Sequence, residues 1–128
     1  MLLRVVLGEP GRLRNWPRIQ QAVSSELIRL ECFRTLDRAR LAGRLDDDEV
    51  TDSRNAIDEI LASFDKIAVS RRILLAAAEP LPVTLGSLDA IHLVSARWLR
   101  SRIPELRFAT HAIELARAAK SIGFSLAG

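Results

Sequence analysis

The sequence has 128 residues, a length that suits one compact domain and is too short for two of ordinary size. Hydrophobic residues make up 48% and charged residues 27%, which excludes a fibrous or largely disordered chain. The longest apolar runs, such as residues 73–78, are far shorter than the roughly 20 residues that a membrane span requires. Residues 1–7 lack the basic flank and cleavage site of a signal peptide, so we expect a cytoplasmic protein without a membrane partner.

The net charge and the cysteine content exclude fewer functions than the length and the composition do. The net charge is +3, and 17 of the 19 basic residues are arginine. Arginine suits phosphate because its planar guanidinium donates two parallel hydrogen bonds, but +3 is too small to establish nucleic-acid binding. The single cysteine, Cys32, excludes an internal disulfide and a thiolate metal site, and we expect it to be a small buried hydrophobe on a helix.

Short apolar segments alternate with amphipathic patterns along the chain. After a first apolar element that ends near Leu7 and a loop at 8–11, helices are predicted at 12–21, 26–43, 46–65, 71–78, 88–102 and 112–122. Strands are predicted at 22–24, 66–69, 107–110 and 123–126. Helix starts are marked by Asp46–Asp48, Ser70 and Ser87. This alternation predicts a helix-rich α/β fold with a small parallel sheet flanked by helices.

Two acids lie at or just beyond a point where a strand is followed by a helix. Glu31 is on the helix that follows the strand at 22–24, and Asp89 is in the first turn of the helix after Ser87. Because ligands of parallel sheets bind at the carboxyl ends of the strands, these acids and the strand end at 110–111 could converge. A carboxylate cluster of this kind would hold Mg²⁺ beside a phosphate.

The same acids also have a simpler interpretation, which the pattern alone favours. Asp89 is a favourable partner for the positive end of its helix dipole. Glu31 could form a surface ion pair with Arg34 or Arg38, and such pairs contribute little to stability.

Several polar residues near these acids have two interpretations. His92 and His111 could be metal ligands, but a core or supporting histidine is the commoner case. Ser24, Ser25 and Thr110 could be nucleophiles only beside a base, and capping explains them better. No phosphate-binding glycine loop occurs, since the six glycines are scattered.

Three segments together resemble one known family. They are residues 24–31 (SSELIRLE), residues 88–96 (LDAIHLVSA) and residues 108–111 (FATH). In this order they are similar to the VapC-type PIN-domain toxins, and the likeness covers almost the whole chain. The resemblance implies helices around a small parallel sheet, with four acids that bind Mg²⁺ or Mn²⁺ and cut RNA.

The resemblance also implies roles for particular residues. Glu31 matches the second acid of the family and Asp89 the third, so both would bind metal and act in catalysis. His92 matches the histidine that accompanies the third acid, and we expect it to support the helix rather than to bind metal. Thr110 and Ser24 would lie beside the acids as supporting hydroxyls.

This chain departs from the family pattern at two acids. Ala112 stands where the fourth acid is expected, and Glu114 is about 200° further round the helix, so it is a poor substitute. The chain begins inside what should be the first helix, so we expect the first strand and its acid to be missing. With two acids left, metal affinity and activity are expected to fall.

Three functions follow as alternatives. The first is a toxin ribonuclease with an antitoxin partner, a homodimeric assembly and RNA contacts from Arg34, Arg38 and Arg97. The second is an inactive PIN module that binds an antitoxin or RNA. The third is an interaction protein in which apolar residues of segment 41–64 contact a partner helix.

Overall fold

The computed structural model of the protein describes residues 21–127. In that part of the chain, two strands and five helices follow one another. In chain order they are β1 (Val23–Ser25), α1 (Leu27–Leu41), α2 (Asp47–Ala62), β2 (Asp65–Ile67), α3 (Arg71–Ala77), α4 (Ser87–Arg100) and α5 (Ile113–Ser121). The helix predicted at 12–21 lies outside these residues except for Gln21, which is not helical. The expectation about the first strand also lies outside the described residues.

The sheet consists of β1 and β2, which pair in parallel with Ser24 opposite Lys66. The pairing continues beyond β1, because the Glu26 amide donates to the Ile67 carbonyl at 3.0 Å. A parallel pair requires a crossover, and α1 with α2 supplies it. The α/β class and the parallel sheet are therefore confirmed, and they agree with the PIN-like fold that the resemblance implies.

The two strands predicted near the carboxyl terminus are much shorter in the structure. Phe108 and Leu126 form one isolated parallel bridge rather than two strands. The Phe108 amide donates to the Ser125 carbonyl at 2.9 Å, and the Ala127 amide donates to the Phe108 carbonyl at 2.8 Å. Pairing ends after these bonds, so the apolar sequence on either side remains irregular.

Side chains cap the starts of α2 and α3; the cap at Ser70 was predicted, whereas Asp46 was predicted only to place a favourable charge at the start of its helix. The Asp46 carboxylate accepts from the Glu49 amide, and the Glu49 carboxylate accepts from the Asp46 amide, both at 2.8 Å. This reciprocal pair satisfies two free amides at the start of α2. The Ser70 hydroxyl accepts from the Ile73 amide at the start of α3. The cap predicted for α4 is wrong, because Gly86 precedes the helix without a side-chain bond and Ser87 is already helical.

Three apolar clusters hold the elements together. The first joins α1 to α2 through buried Leu36, Ile57 and Leu61. The second packs α4 on α5 and the Phe108 bridge, and the third packs α3 on α4. Most apolar residues of segment 41–64 belong to the first cluster, while Leu41 is 71% exposed. The apolar face that motivated the interaction-protein alternative is therefore mostly used inside the molecule.

No helix among residues 21–127 is long and apolar enough to cross a membrane.

Candidate active site

The carboxyl end of β1 leads directly into α1 and places Glu31 at this edge of the sheet. Ser25 ends the strand, is 2% exposed, and accepts a hydrogen bond from the Leu27 amide at 3.3 Å. Leu27 packs against the apolar cluster shared by α3 and α4. The first turns of α1 therefore lie against α4, and Glu31 is one turn beyond Leu27.

Glu31 contacts His92 on α4. The Nε2 atom of His92 lies against the Oε1 atom of Glu31. Both side chains are largely buried, with 19% of His92 and 33% of Glu31 exposed. Since an ionised carboxylate only accepts hydrogen bonds, this contact requires a proton on the His92 Nε2 atom. The contact holds one carboxylate oxygen of Glu31 and leaves the other without a hydrogen bond to residues 21–127.

Asp89 lies in the first turn of α4, one turn before His92. Residues three apart on a helix are neighbours, so Asp89 and His92 lie on the same side of α4. The side chain of Asp89 is half-buried, and within residues 21–127 it makes no hydrogen bond or ion pair. Its charge is favourable at the start of a helix, and its carboxylate oxygens stay available for a ligand.

The hydroxyls of Thr110 and Ser24, which were predicted to support the acids, are not bonded to them in the described part of the chain. Thr110 accepts a hydrogen bond from the Ala112 amide at 3.1 Å, and Ala112 is the N-cap of α5 without a capping side chain. Ser24 is the central residue of β1. In the described part of the chain, neither hydroxyl forms a hydrogen bond to Glu31 or Asp89. The structure thus brings Glu31 and His92 together and gives Thr110 a turn-forming bond.

The arginines proposed for RNA contacts differ in their partners. Arg34 forms an ion pair with Asp37 at 3.2 Å, rather than with Glu31 as the surface-pair interpretation suggested. Arg38 and Arg97 are exposed and form no ion pair with residues 21–127. The arginines without an acidic partner are the ones that can contact an anion without first giving up an ion pair.

The donors at this site suit a hard cation only in part. Glu31 and Asp89 supply oxygen ligands, and Mg²⁺ is often held by one or two carboxylates together with water and substrate phosphate. No group of three or more His, Cys, Asp or Glu side chains that could hold a metal ion occurs among residues 21–127. Ala112 adds no ligand. A cation bound by Glu31 and Asp89 would therefore need further ligands from outside this pair.

Two features of the site were not predicted from the sequence. The first is the direct contact of Glu31 with His92, for which the spacing of Asp89 and His92 on one helix was the available signal. The second is a groove between α3 and α4 that contains Arg97 beside Trp98. No local pattern joins the two helices that form it.

One comparison with known proteins bears on the family of the chain. The chain is similar to Ribonuclease VapC46 of Mycobacterium tuberculosis (strain ATCC 25618 / H37Rv), with 33% identity over an alignment of 132 residues. That alignment covers 98% of this chain and 89% of the relative. No protein-family model matches the chain. Identity of this extent, along nearly the full length of both proteins, shows common descent, and the chain therefore belongs to the VapC-type PIN-domain family of ribonucleases.

Proposed function

We propose that this protein is a toxin ribonuclease that hydrolyses RNA phosphodiester bonds with Glu31 and Asp89 at its active site. The observation that carries the proposal is the 33% identity to Ribonuclease VapC46 over 98% of the chain. The site supports it, because Asp89 has a carboxylate without a partner among residues 21–127 and Glu31 keeps one free carboxylate oxygen.

We propose Mg²⁺ or Mn²⁺ as the cofactor, held by Glu31 and Asp89. When bound, the ion would supply positive charge beside the scissile phosphate and make a water molecule more acidic. Asp89, at the start of α4, would help to hold the ion and would accept a hydrogen bond from this water. His92 would keep Glu31 facing α4 by holding one of its oxygens. Water and phosphate oxygens of the RNA would complete the ligand set.

The test is cleavage of a mixed RNA pool, followed on a denaturing gel in Mg²⁺, in Mn²⁺ and in EDTA. Asp89→Asn keeps the shape of the side chain and removes its charge, so we expect cleavage to fall about 100-fold or more. Asp48→Asn is the matched control, because Asp48 is an exposed acid in the first turn of α2. Cleavage that survives Asp89→Asn would overturn the assignment of the site.

Ala112 provides a gain-of-function test. Ala112→Asp restores a carboxylate where the family has its fourth acid, and we expect faster cleavage in Mn²⁺. Asp is also a good N-cap, so the same change should stabilise α5 by about 1 kcal/mol. Ala112→Asn separates the two effects, because it caps the helix equally well without a charge. Equal cleavage by the Asp and Asn variants would exclude a metal-binding role for this position.

The inactive PIN module is the second candidate, favoured by Ala112 and by the small number of ligands in the described residues. It predicts no cleavage by the natural chain in either metal, together with measurable binding of RNA or of an antitoxin. The gel assay and a binding assay on the same sample distinguish the two functions.

We propose a cognate antitoxin protein and a second copy of the chain as partners, acting in the cytoplasm. The family membership supports the antitoxin and the RNA substrate. Light scattering tests the homodimer directly, and a mass of one chain, 14.2 kDa, would overturn it. The antitoxin is tested by co-expression with the product of the neighbouring reading frame, which should form a stable complex and block RNA cleavage.

A further inference from the structure

A groove of about 240 Å³ runs between α3 and α4, away from the acids. Its floor is apolar, because Ile73 and Val94 are 5% and 2% exposed and belong to the cluster that joins the two helices. Ala76 adds a small side chain from α3. Arg72, Arg97 and Trp98 line the rest of the groove. It therefore offers an apolar base with polar groups at its rim.

The rim is positively charged. Arg72 lies on α3 and Arg97 on α4, and both are exposed. Neither forms an ion pair or a side-chain hydrogen bond with residues 21–127, and no acid lines the groove. Other arginines of the described chain, such as Arg29 and Arg40, are held by Asp58 and Asp37. Two guanidiniums from neighbouring helices, each without an acidic partner among residues 21–127, favour an anionic occupant.

Trp98 gives the groove an aromatic surface. The guanidinium of Arg102 lies 4.0 Å from the centroid of the Trp98 ring, so the indole is held in place from one side. The indole also packs against the buried cluster of α3 and α4, and it lines the groove together with Arg72 and Arg97. An aromatic side chain held in this way beside two cations offers an apolar contact to an unpaired base whose phosphates meet the arginines.

The distribution of charge among the helices also favours an anionic occupant of the groove. Helix α2 has six acids and one arginine in its 16 residues. Helices α3 and α4 together have four arginines and one acid, Asp89. A polyanion is therefore repelled by α2 and attracted to the surface formed by α3 and α4.

We propose that the groove is a binding subsite for single-stranded RNA, with Arg72 and Arg97 on phosphates and the Trp98 side chain against a base. This rests on the proposed ribonuclease function. Asp89 and Arg97 are eight residues apart on α4, which corresponds to about 12 Å along the helix axis. A strand held in the groove can thus extend to the acids. The subsite would bind RNA backbone and bases without strong sequence preference.

A second copy of the chain is the competing occupant. If the same groove formed a twofold interface, it would bring Arg72 and Arg97 of both copies close together, and like charges oppose such a contact. The exposed leucines of α3, Leu74 and Leu75, do not line the groove. The observations therefore favour RNA.

The experiment measures fluorescence anisotropy of a fluorescein-labelled single-stranded RNA in EDTA, where metal-dependent cleavage is stopped. The test variant is Arg72→Gln with Arg97→Gln. The control is Arg44→Gln with Arg117→Gln, which removes the same charge from exposed positions elsewhere. We expect the test variant to weaken binding at least about tenfold, and its salt slope to fall by about 1.4, or 0.7 for each lost phosphate contact. The control should change binding less than about twofold.

A second measurement follows Trp98 itself. The chain has two tryptophans, so Trp16→Phe leaves Trp98 as the sole indole emitter. We expect RNA to quench this emission, and Arg72→Gln with Arg97→Gln to shift the quenching to higher RNA concentration. Quenching without this shift would overturn the inference, as would equal RNA binding by the test variant and the natural chain.

The remaining outcomes separate this inference from the ribonuclease proposal. If cleavage depends on Asp89 but replacement of Arg72 and Arg97 leaves RNA binding unchanged, the groove proposal alone is overturned. No cleavage and no RNA binding would overturn both. A dimer whose dissociation constant on light scattering changes when the two arginines are replaced, without a change in RNA affinity, would assign the groove to a second copy of the chain.

Discussion

The imidazole of His92 on α4 contacts the carboxylate of Glu31 on α1, and these two side chains are 61 residues apart in the sequence. Within residues 21–127 no other side-chain hydrogen bond or ion pair joins these two helices. The contact therefore also stabilises the packing of the helix after β1 against the helix that contains Asp89.

A double-mutant cycle measures this contact. His92→Ala and Glu31→Ala each remove one partner, and the double variant removes both. We expect a coupling free energy of about 1 kcal/mol in urea denaturation at neutral pH, because the pair is partly solvated and the partner left behind is half-buried. Single effects that add within about 0.3 kcal/mol would show that the two side chains do not interact.

Burial of Cys32 predicts an inert thiol. Loss of hydration, with a smaller contribution from the neighbouring carboxylate of Glu31, raises the pKa of Cys32 from its ordinary 9.0 to about 11. We expect a disulfide reagent at pH 8 to label Cys32 only when the protein unfolds. Rapid labelling of the folded protein would contradict this environment.

The same pKa shift gives a pH dependence. The folded state keeps the Cys32 thiol protonated, whereas the unfolded chain ionises near pH 9, so the stabilisation is complete below pH 9 and is lost as the pH rises to about 11. Cys32→Ala removes this dependence. We expect the difference in unfolding free energy between the natural chain and Cys32→Ala to change by about 2 kcal/mol over that range. A constant difference would show that burial does not shift the titration.

The cap of α2 predicts a local stability effect. Asp46→Ala removes the acceptor for the Glu49 amide, and we expect it to cost about 1 kcal/mol in urea denaturation. Asp52→Ala is the control, because Asp52 is exposed and lies beyond the first turn of the same helix. Equal losses from the two changes would mean that charge, rather than the cap, accounts for the effect.

Ser95 predicts a stabilising substitution. Its hydroxyl is buried, with 2% of the residue exposed, and it has no hydrogen-bond partner in the described structure. An unsatisfied buried hydroxyl costs free energy, so Ser95→Ala is expected to raise stability by about 1 kcal/mol. Ser101→Ala is the contrasting control, because the Ser101 hydroxyl donates to the Trp98 carbonyl at 2.6 Å. A loss of stability in Ser95→Ala would reveal a partner for this hydroxyl.

The helices and two of their caps were determined by the sequence itself. The apolar spacing of α1, α2, α4 and α5 placed each helix within a few residues of its observed bounds. Ser70 caps its helix as predicted, and Asp46, predicted only as a favourable charge at the helix start, is the N-cap of α2. A cap bonds to amides only a few residues away. Interactions over one or two turns depend on neighbouring residues, and these are visible in the sequence.

Pairing between distant segments was decided only by the tertiary structure. Residues near Phe108 and Leu126 have the apolar character of strands, but the structure gives them a single bridge. Glu31 contacts His92, 61 residues away on another helix, rather than an arginine of its own helix. Each outcome depends on which groups lie close together once the helices pack, and packing geometry is set by the whole core.

For the candidate site, too, some features follow from the sequence and others only from the tertiary structure. The motifs around Glu31 and Asp89 predict both acids as site residues, because each lies in a short segment with a recognisable pattern. Only the packing of the helices revealed the contact between His92 and Glu31. The same is true of the groove, which is lined by Arg72, Arg97 and Trp98. A sequence pattern specifies what a helix presents along its length, whereas the partner of each side chain is determined by how α1, α3 and α4 pack in space.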